Sequence, residues 1–350
     1  MNNFKKIGLS ALAGSLAVAT SAQAFDASVS VESQAIFSSA EQNVASQTPN
    51  GKGIGVDTDI AFSGSGELDM GWTVSVSHVL DTSEAVTNSS TQMAVGMGSM
   101  GTFQFNQDGG ASTNAIDDVL PKAYEETWDA IGTNTATANF HSFGSALNKG
   151  SVSYKTPSFD LPFGVTASAT YDYDPNAGVA AATPGGVGGD GPSGEGFTVK
   201  LAHDSGLTIG GGSESTGNTD STKGAKIATG YALYSNGGIS VGYQEFYQNA
   251  SIIEKHATSS STTRGADSEG EGYALAYTAG DFTFSYSKTN ETTLANGVTA
   301  AKEEEEFSAV QAAYNLGGMT IAASMYEADN LDGVAAVKYE ETELSVSFAF

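Results

Sequence analysis

Apolar residues alternate with small or polar residues along most of the chain, which is the period of a β-strand with two different faces. In the C-terminal stretch "ETELSVSFAF", Leu344, Val346 and Phe348 fall on one side of the alternation, and Glu343 and Ser345 on the other. This pattern predicts about sixteen strands. Their predicted spans are 26–38, 54–66, 71–80, 91–98, 101–108, 149–156, 163–174, 195–204, 206–214, 223–235, 238–248, 269–279, 281–290, 303–315, 318–328 and 338–350.

The connections between these strands alternate in length. Short turns such as "GSMG", "DSG" and "SNGG" alternate with longer polar stretches. Short turns at one end and long loops at the other are typical of an up-and-down outer-membrane barrel, whereas the Greek-key links of a soluble β-sandwich do not sort by length. Aromatic residues near both strand ends favour the same interpretation. The predicted fold class is all-β, a transmembrane antiparallel up-and-down β-barrel.

The N-terminal segment has the features of a secretory signal peptide. Lys5 and Lys6 precede an apolar run, and "AQA" ends at Ala24, which predicts cleavage after that residue. The apolar run is about a dozen residues long, whereas a helix that spans a bilayer needs about 20. The predicted domains are therefore a cleaved signal peptide, 1–24, and one β-barrel domain, 25–350.

The composition limits the partners and the source of stability. The chain has 14 basic and 40 acidic residues, and this strongly negative balance argues against nucleic acid as a partner. It has no cysteine, so disulfides do not stabilise the exported domain and packing and hydrogen bonds must do so. Its 43 glycines and 7 prolines suit strands and tight turns.

The longest connection, 109–148, contains too many large apolar residues for a solvated loop. A loop of this length is usually either functional or disordered, and its apolar residues predict that it packs against the barrel wall. Its charged residues are mostly acidic: Asp117, Asp118, Lys122, Glu125, Glu126 and Asp129.

The apolar stripes of the strands predict which charged residues face the interior. If these stripes face lipid, the intervening residues face the lumen. The wall residues predicted in this way are Glu32, Asp57, Asp59, Lys155, Asp172, Lys200 and Lys226.

With this strand count, loop rhythm and C-terminal "SFAF", the chain resembles the general Gram-negative porins, and among them the alphaproteobacterial type. The resemblance implies an outer-membrane porin for passive diffusion of small hydrophilic solutes and ions. It implies that the loop 109–148 forms the pore constriction, that Phe350 is part of the signal read by the barrel assembly machinery, and that the protein is a homotrimer in contact with lipid and lipopolysaccharide.

The sequence departs from the family pattern in one respect. Porins of this family set an acidic constriction loop against a ladder of basic wall residues, but the only arginine here is Arg264, in a predicted loop. Carboxylates outnumber lysines among the predicted lumen residues. A net negative lumen attracts cations, so the predicted channel prefers cations.

The channel needs no cofactor, but the carboxylates of the long loop could bind Ca²⁺ through hard oxygen ligands. The candidate ligands are Asp117, Asp118, Glu125, Glu126 and Asp129, although their spacing fits no defined calcium loop.

Two other function classes fit parts of the pattern. A secreted or surface-attached acidic β-structured adhesin would share the alternation and the charge. An outer-membrane hydrolase would need a nucleophile and a base, and the sequence contains neither a nucleophile elbow nor a zinc-ligand spacing. The sequence therefore predicts a channel and not an enzyme.

Overall fold

The computed structural model of the chain describes residues 14–15, 26–43, 51–82, 86–127, 147, 150–175, 193–216, 222–249, 252–253, 263–264, 267–294 and 302–350. The predicted signal peptide lies outside the described residues apart from Gly14–Ser15, a two-residue strand, and its cleavage stays a prediction.

Sixteen strands form the wall of a closed barrel. Most of their ends lie within three residues of the predicted ends. The strands are β1 (Asp26–Gln42), β2 (Gly51–Glu67), β3 (Thr73–Asp81), β4 (Thr87–Gly96), β5 (Thr102–Gln107), β6 (Ser151–Lys155), β7 (Val165–Asp174), β8 (Gly194–His203), β9 (Leu207–Thr216), β10 (Lys226–Asn236), β11 (Ile239–Asn249), β12 (Asp267–Ala279), β13 (Phe282–Leu294), β14 (Glu305–Asn315), β15 (Met319–Asp329) and β16 (Lys338–Ala349).

Short elements complete the described structure. Phe159–Leu161 pairs with the start of β7, and Thr222–Lys223, Ile252–Ile253 and Thr263–Arg264 form a small separate sheet. Four 3₁₀ turns lie at Gly98–Met100, Thr113–Ile116, Pro162–Gly164 and Leu331–Gly333. In the described part of the chain, no helix is both long and apolar enough to cross a membrane.

Each strand pairs antiparallel with the next, and the last pairs with the first. The register of β16 on β1 places Leu344 opposite Phe37 and Val346 opposite Ala35. At the short-turn end, Phe350 and Val31 exchange backbone hydrogen bonds of 2.9 and 3.0 Å. The first strand thus supplies hydrogen-bond partners for the backbone groups of the last one.

The two faces of the barrel have opposite polarity. On β12, the outward side chains Tyr273, Leu275 and Tyr277 are 44–50% exposed. On the neighbouring β13, the inward Ser285 and Ser287 are 7% and 3% exposed. An apolar outer surface around a polar interior is the arrangement of a barrel surrounded by hydrocarbon, with water or polar groups inside.

We predict that Phe350→Asp lowers the amount of folded barrel. The substitution places a charge at the edge where β16 closes on β1, next to the Val31 hydrogen bonds, and removes a ring that stacks on Phe348 with centroids 6.3 Å apart. Heat-modifiable gel migration of membrane extracts measures the folded fraction. Phe350→Tyr, which keeps the ring, is the matched control, and normal folded levels of Phe350→Asp would contradict the prediction.

Candidate functional site

The long connection after β5 turns into the barrel within three residues. Asp108, Gly109 and Gly110 all have positive φ, at 54°, 108° and 92°, which directs the chain inward from the end of the strand. A Cβ at Gly110 would lie 2.4 Å from Nε2 of Gln92. Glycine at this position therefore meets both the backbone conformation and the close approach to the wall.

Asp172 on β7 fixes the start of the inner loop, which we define as the described residues 108–127. Its carboxylate accepts hydrogen bonds from the backbone N–H groups of Ser112, at 3.1 Å, and Thr113, at 3.0 Å. The Ser153 hydroxyl of β6 donates to the same carboxylate. Asp172 faces inward as predicted from the alternation, but it is fully buried. Its carboxylate therefore acts as a hydrogen-bond acceptor for the loop.

Gln244 on β11 holds the middle of the inner loop. Its Oε1 accepts from the backbone N–H of Val119 at 3.0 Å, and its Nε2 donates to the carbonyl of Ile116 at 2.9 Å. Gln244 is fully buried. Next to it, Gly242 makes room for the loop, because a Cβ there would lie 2.6 Å from Cδ of Pro121.

The strand β10 turns apolar residues toward the inner loop, and this corrects the predicted position of Lys226. Ile227 and Tyr231 are buried with Ile116 of the loop, so the odd positions of β10 face inward. Lys226 pairs with Ser215 and lies on the exposed outer side with Tyr234. The prediction was wrong because β10 carries apolar residues on both faces, and the loop determines which of them faces the lumen.

The end of the inner loop binds to strands on the far side of the barrel. Gln311 on β14 accepts from the backbone N–H of Tyr124 at 3.0 Å and donates to the carbonyl of Glu125 at 2.6 Å. Gln34 on β1 donates to the Tyr124 hydroxyl at 2.7 Å and to Ser345 of β16 at 2.6 Å. The inner loop therefore crosses the lumen from β5 and β7 to β14, β16 and β1.

Lys122 joins two loop carboxylates into a buried cluster. Its Nζ lies 3.2 Å from Asp118 and 2.9 Å from Glu126. Burial alone would lower the pKa of Lys122, but the charges and hydrogen bonds of Asp118 and Glu126 raise it above its ordinary value. Lys122 is therefore charged over the physiological range.

The remaining loop carboxylates are also occupied in local contacts. Asp117 accepts from the backbone N–H of Asp118 at 2.7 Å and is 5% exposed. Glu125 lies beside Glu343 of β16, with which it shares a hydrogen bond, and burial followed by the Glu343 charge raises the pKa of Glu125 to about 8. The described loop carboxylates thus make contacts within the loop and with the barrel wall.

No group of three or more metal-binding side chains in the described ranges is arranged to hold a metal ion. Asp129, the fifth predicted calcium ligand, lies outside the described residues. A calcium ion at the loop stays a prediction.

The strands β2 and β3 carry acidic residues on their inner side. The cross-strand register places Glu32 of β1 opposite Asp59 of β2, and Asp59 opposite Asp81 of β3. Asp57 lies opposite Gln34. All four carboxylates share the inner face and are partly exposed. We call Glu32, Asp57, Asp59 and Asp81 the acidic wall.

Two predicted wall lysines face inward elsewhere in the barrel. Lys155 on β6 pairs with Thr102 and donates to Oε1 of Gln104 at 2.9 Å. Lys200 on β8 pairs with Ser168 and Gly210 and is exposed. Neither is on the strands that carry the acidic wall.

Sequence reasoning missed Asp81 and the three glutamines that hold the loop. Asp81 was assigned to a loop because the predicted strand ended at residue 80, one residue before the observed end of β3. Gln34, Gln244 and Gln311 occupy inward positions of the alternation. A long amide side chain at an inward position was the feature of the sequence that could have indicated a residue that binds the loop. The sequence does not show which loop atoms they bind.

Comparison with known proteins identifies related architectures. The family described as Gram-negative porin matches residues 8–333. An anion-selective porin from Comamonas acidovorans has a TM-score of 0.64 at 11% identity, covering 93% of this chain and 100% of that one. OmpF of Salmonella typhi, in a complex with daunomycin, has a TM-score of 0.63 at 11% identity, covering 93% and 98%. A mutant porin from Rh. blastica has a TM-score of 0.56 at 14% identity, covering 93% and 100%. No curated protein sequence matches the chain.

We predict that Asp172→Ala loosens the start of the inner loop. Two backbone N–H groups lose a charged acceptor, and hydrogen bonds to charged groups contribute about 1.5–3 kcal/mol each. Amide hydrogen exchange at Ser112 and Thr113 should accelerate roughly tenfold to a hundredfold, since each 1.4 kcal/mol corresponds to about a tenfold change. Asp172→Asn, which retains one acceptor oxygen, should give a smaller effect. Unchanged exchange in a folded Asp172→Ala barrel would refute the anchoring role.

Proposed function

Because the chain belongs to the Gram-negative porin family, we propose that it forms a water-filled channel through which small hydrophilic solutes and ions diffuse passively. The protein is an outer-membrane porin. The observation that best supports passive diffusion is the polar interior of the barrel, crossed by a loop that is bound to the wall through buried side chains. A barrel of sixteen strands is too wide for side chains alone to fill.

The same interior supports a channel and not an enzyme. Among the described residues, His78 and His203 both lie on the outer face of their strands, where each bonds a neighbouring hydroxyl, Thr91 and Ser205. Neither histidine faces the lumen. The family likewise indicates a channel, and an outer-membrane location argues against the secreted adhesin considered from the sequence.

We infer that the channel prefers cations. The formal net charge of the chain is −26, and the inner face of β1–β4 carries carboxylates but, in the described part of the chain, no lysine or arginine. The fold does not determine the sign of the preference, because the Comamonas acidovorans porin with the same fold is described as anion-selective. The sign therefore depends on which side chains line the opening.

We also infer a homotrimer. Two pairs of polar side chains lie on the outer face of β1–β4, where lipid would otherwise surround them: Ser33 with Thr58, 2.9 Å apart, and His78 with Thr91, 2.6 Å apart. Burying polar groups in hydrocarbon costs free energy, whereas a subunit contact would shield them. We propose that the remaining outer face contacts lipid and lipopolysaccharide. We also propose that the barrel assembly machinery recognises Phe350.

Reversal potentials of the purified protein in planar bilayers test the proposed function. We predict stepwise channel insertions with a cation-to-anion permeability ratio above one at 0.1 M salt. The ratio should fall toward one at 1 M, because the screening length shortens from about 10 Å to about 3 Å. The absence of channels would overturn the porin assignment, and a ratio at or below one at low salt would overturn the cation preference.

We predict that the inner loop binds the barrel wall less tightly as the pH rises. The raised pKa of Glu125, about 8 in the docked loop, means that docking binds a proton. Docking is therefore stabilised below the ordinary pKa of a glutamate and loses that contribution as the pH rises through about 8. The groups that face Glu125 are Glu343, whose charge opposes ionisation, and the hydroxyls of Tyr124 and Tyr326; Lys122 is engaged with Asp118 and Glu126.

Single-channel conductance and current noise measure this effect. Both should rise from about pH 5 to about pH 8 and then level off in the natural protein, because the linked stability changes only between the ordinary and the raised pKa of Glu125. Both should stay constant in Glu125→Gln, which is neutral and retains hydrogen-bonding groups. An identical pH response in the two proteins would contradict the assignment to Glu125.

A further inference from the structure

The connection between β15 and β16 packs on the wall of the barrel through an apolar cluster. We call this connection, residues 330–337, the last loop. Its Leu331 and Val337 are 3% and 5% exposed. The other members of the cluster come from four strands, β1, β14, β15 and β16: Ala40, Phe307, Ala328 and Tyr339.

The two aromatic members of the cluster belong to the inner face of the barrel. Phe307 shares the odd positions of β14 with Gln311, which binds the inner loop. Tyr339 shares the odd positions of β16 with Ser345, which accepts a hydrogen bond from the inward Gln34. Alternate residues of a strand lie on the same face. The last loop therefore lies on the lumen side of the wall.

An apolar patch departs from the usual inner face of such a barrel, where side chains are polar. Phe307 and Tyr339 are nevertheless 5% and 1% exposed. Leu331 and Val337 pack against them, and removing large apolar side chains from water stabilises this arrangement. The patch thus accounts for the inward position of the last loop.

Two asparagine side chains fix the backbone of the last loop. The Nδ2 of Asn330 donates to the carbonyl of Glu304 at 2.9 Å, and its Oδ1 accepts from the N–H of Ala336 at 3.0 Å. The Nδ2 of Asn43, which follows β1, donates to the carbonyl of Ala336 at 2.8 Å, and its Oδ1 accepts from the N–H of Lys338 at 2.9 Å. The last loop is therefore fastened to the connections on both sides of it.

Gly333 allows the last loop to lie close to the start of β14. Its φ is 64°, and a Cβ at this position would lie 2.4 Å from Cβ of Lys302. Its carbonyl accepts from the N–H of Glu303 at 3.2 Å. The next residue, Val334, is 48% exposed, so the tip of the loop faces water while Leu331 holds its base.

The last loop lies nearer the long-loop end of the barrel than the inner loop does, on the same side of the lumen. On β14, Phe307 contacts the last loop and Gln311 contacts the inner loop. At about 3.3 Å per residue, these two levels are about 13 Å apart along the strand. A solute that enters from the long-loop end therefore passes the last loop before it reaches the inner loop.

We propose that the last loop is a second size filter, which limits the molecules that enter the vestibule between the long-loop end and the inner loop. This inference deepens the proposed channel function and rests on it. A segment packed on the wall takes up about the 10 Å that separates packed layers. The molecules it excludes are bulky hydrophilic solutes of any charge, and the inner loop then limits those that cross completely.

A matched pair of variants tests the filter. Leu331→Asp places a charge in the apolar cluster, where its burial is unfavourable, and should release the last loop. Val334→Asp adds the same charge to the same loop at an exposed position. The N–H of Val337, which donates to the carbonyl of Val334 at 3.2 Å, reports the release. Its hydrogen exchange should accelerate at least about tenfold in Leu331→Asp.

Neutral polyethylene glycols of increasing size, added to one side of a planar bilayer at a time, measure the width of each entrance. A polymer that enters the channel lowers its single-channel conductance. In Leu331→Asp, the limiting polymer diameter at the long-loop end should increase by several ångströms, up to about 10 Å. The limit at the other end, and both limits of Val334→Asp, should equal those of the natural protein.

Heat-modifiable gel migration checks that each barrel is folded. If Leu331→Asp does not fold or does not release the loop, a glycine-serine linker in place of 331–336 supplies the same measurement.

The outcomes separate this inference from the proposed function. A natural protein that forms no channel overturns both. A natural channel whose long-loop limit is unchanged when the loop is released or replaced overturns the filter and leaves the channel function intact. An increase at both ends, or an equal increase in Val334→Asp, would also overturn the filter.

Discussion

Every backbone N–H and C=O of a strand in hydrocarbon needs a protein partner, because lipid offers none. The sixteen strands meet this requirement only as a closed ring, and β16 completes it by pairing with β1 from Gln42 to Glu32. Closure places one face of every strand against lipid and the other around an enclosed space. The apolar outer side chains and the polar inner ones follow from that single constraint.

The enclosed polar face then determines how the inner loop is held. A loop inside the barrel brings its own backbone N–H and C=O groups, and those that are buried need partners. Asp172, Gln244 and Gln311 supply them from three widely separated strands. The described part of the loop also reaches β1, where Gln34 binds the Tyr124 hydroxyl one inward position from Glu32.

The alternation of the sequence was sufficient to predict the strands, since a lipid face and a lumen face require opposite side chains at successive positions. It failed at β10, where Ile227 and Tyr231 are apolar yet face the loop. The docking contacts could not be predicted, because the partners of Gln34 and Gln311 lie 90 and 187 residues away along the chain. The loop carboxylates were identified from sequence, but their burial depends on those long-range contacts, and Asp129 lies outside the described residues.

We propose that the docked inner loop narrows the lumen. The decisive measurement is the single-channel conductance of a variant in which a short glycine-serine linker replaces the chain between Gly110 and Ser145, with heat-modifiable migration confirming a folded barrel. We predict a higher conductance and passage of larger neutral sugars than in the natural protein. An unchanged conductance and size limit in the folded variant would contradict it.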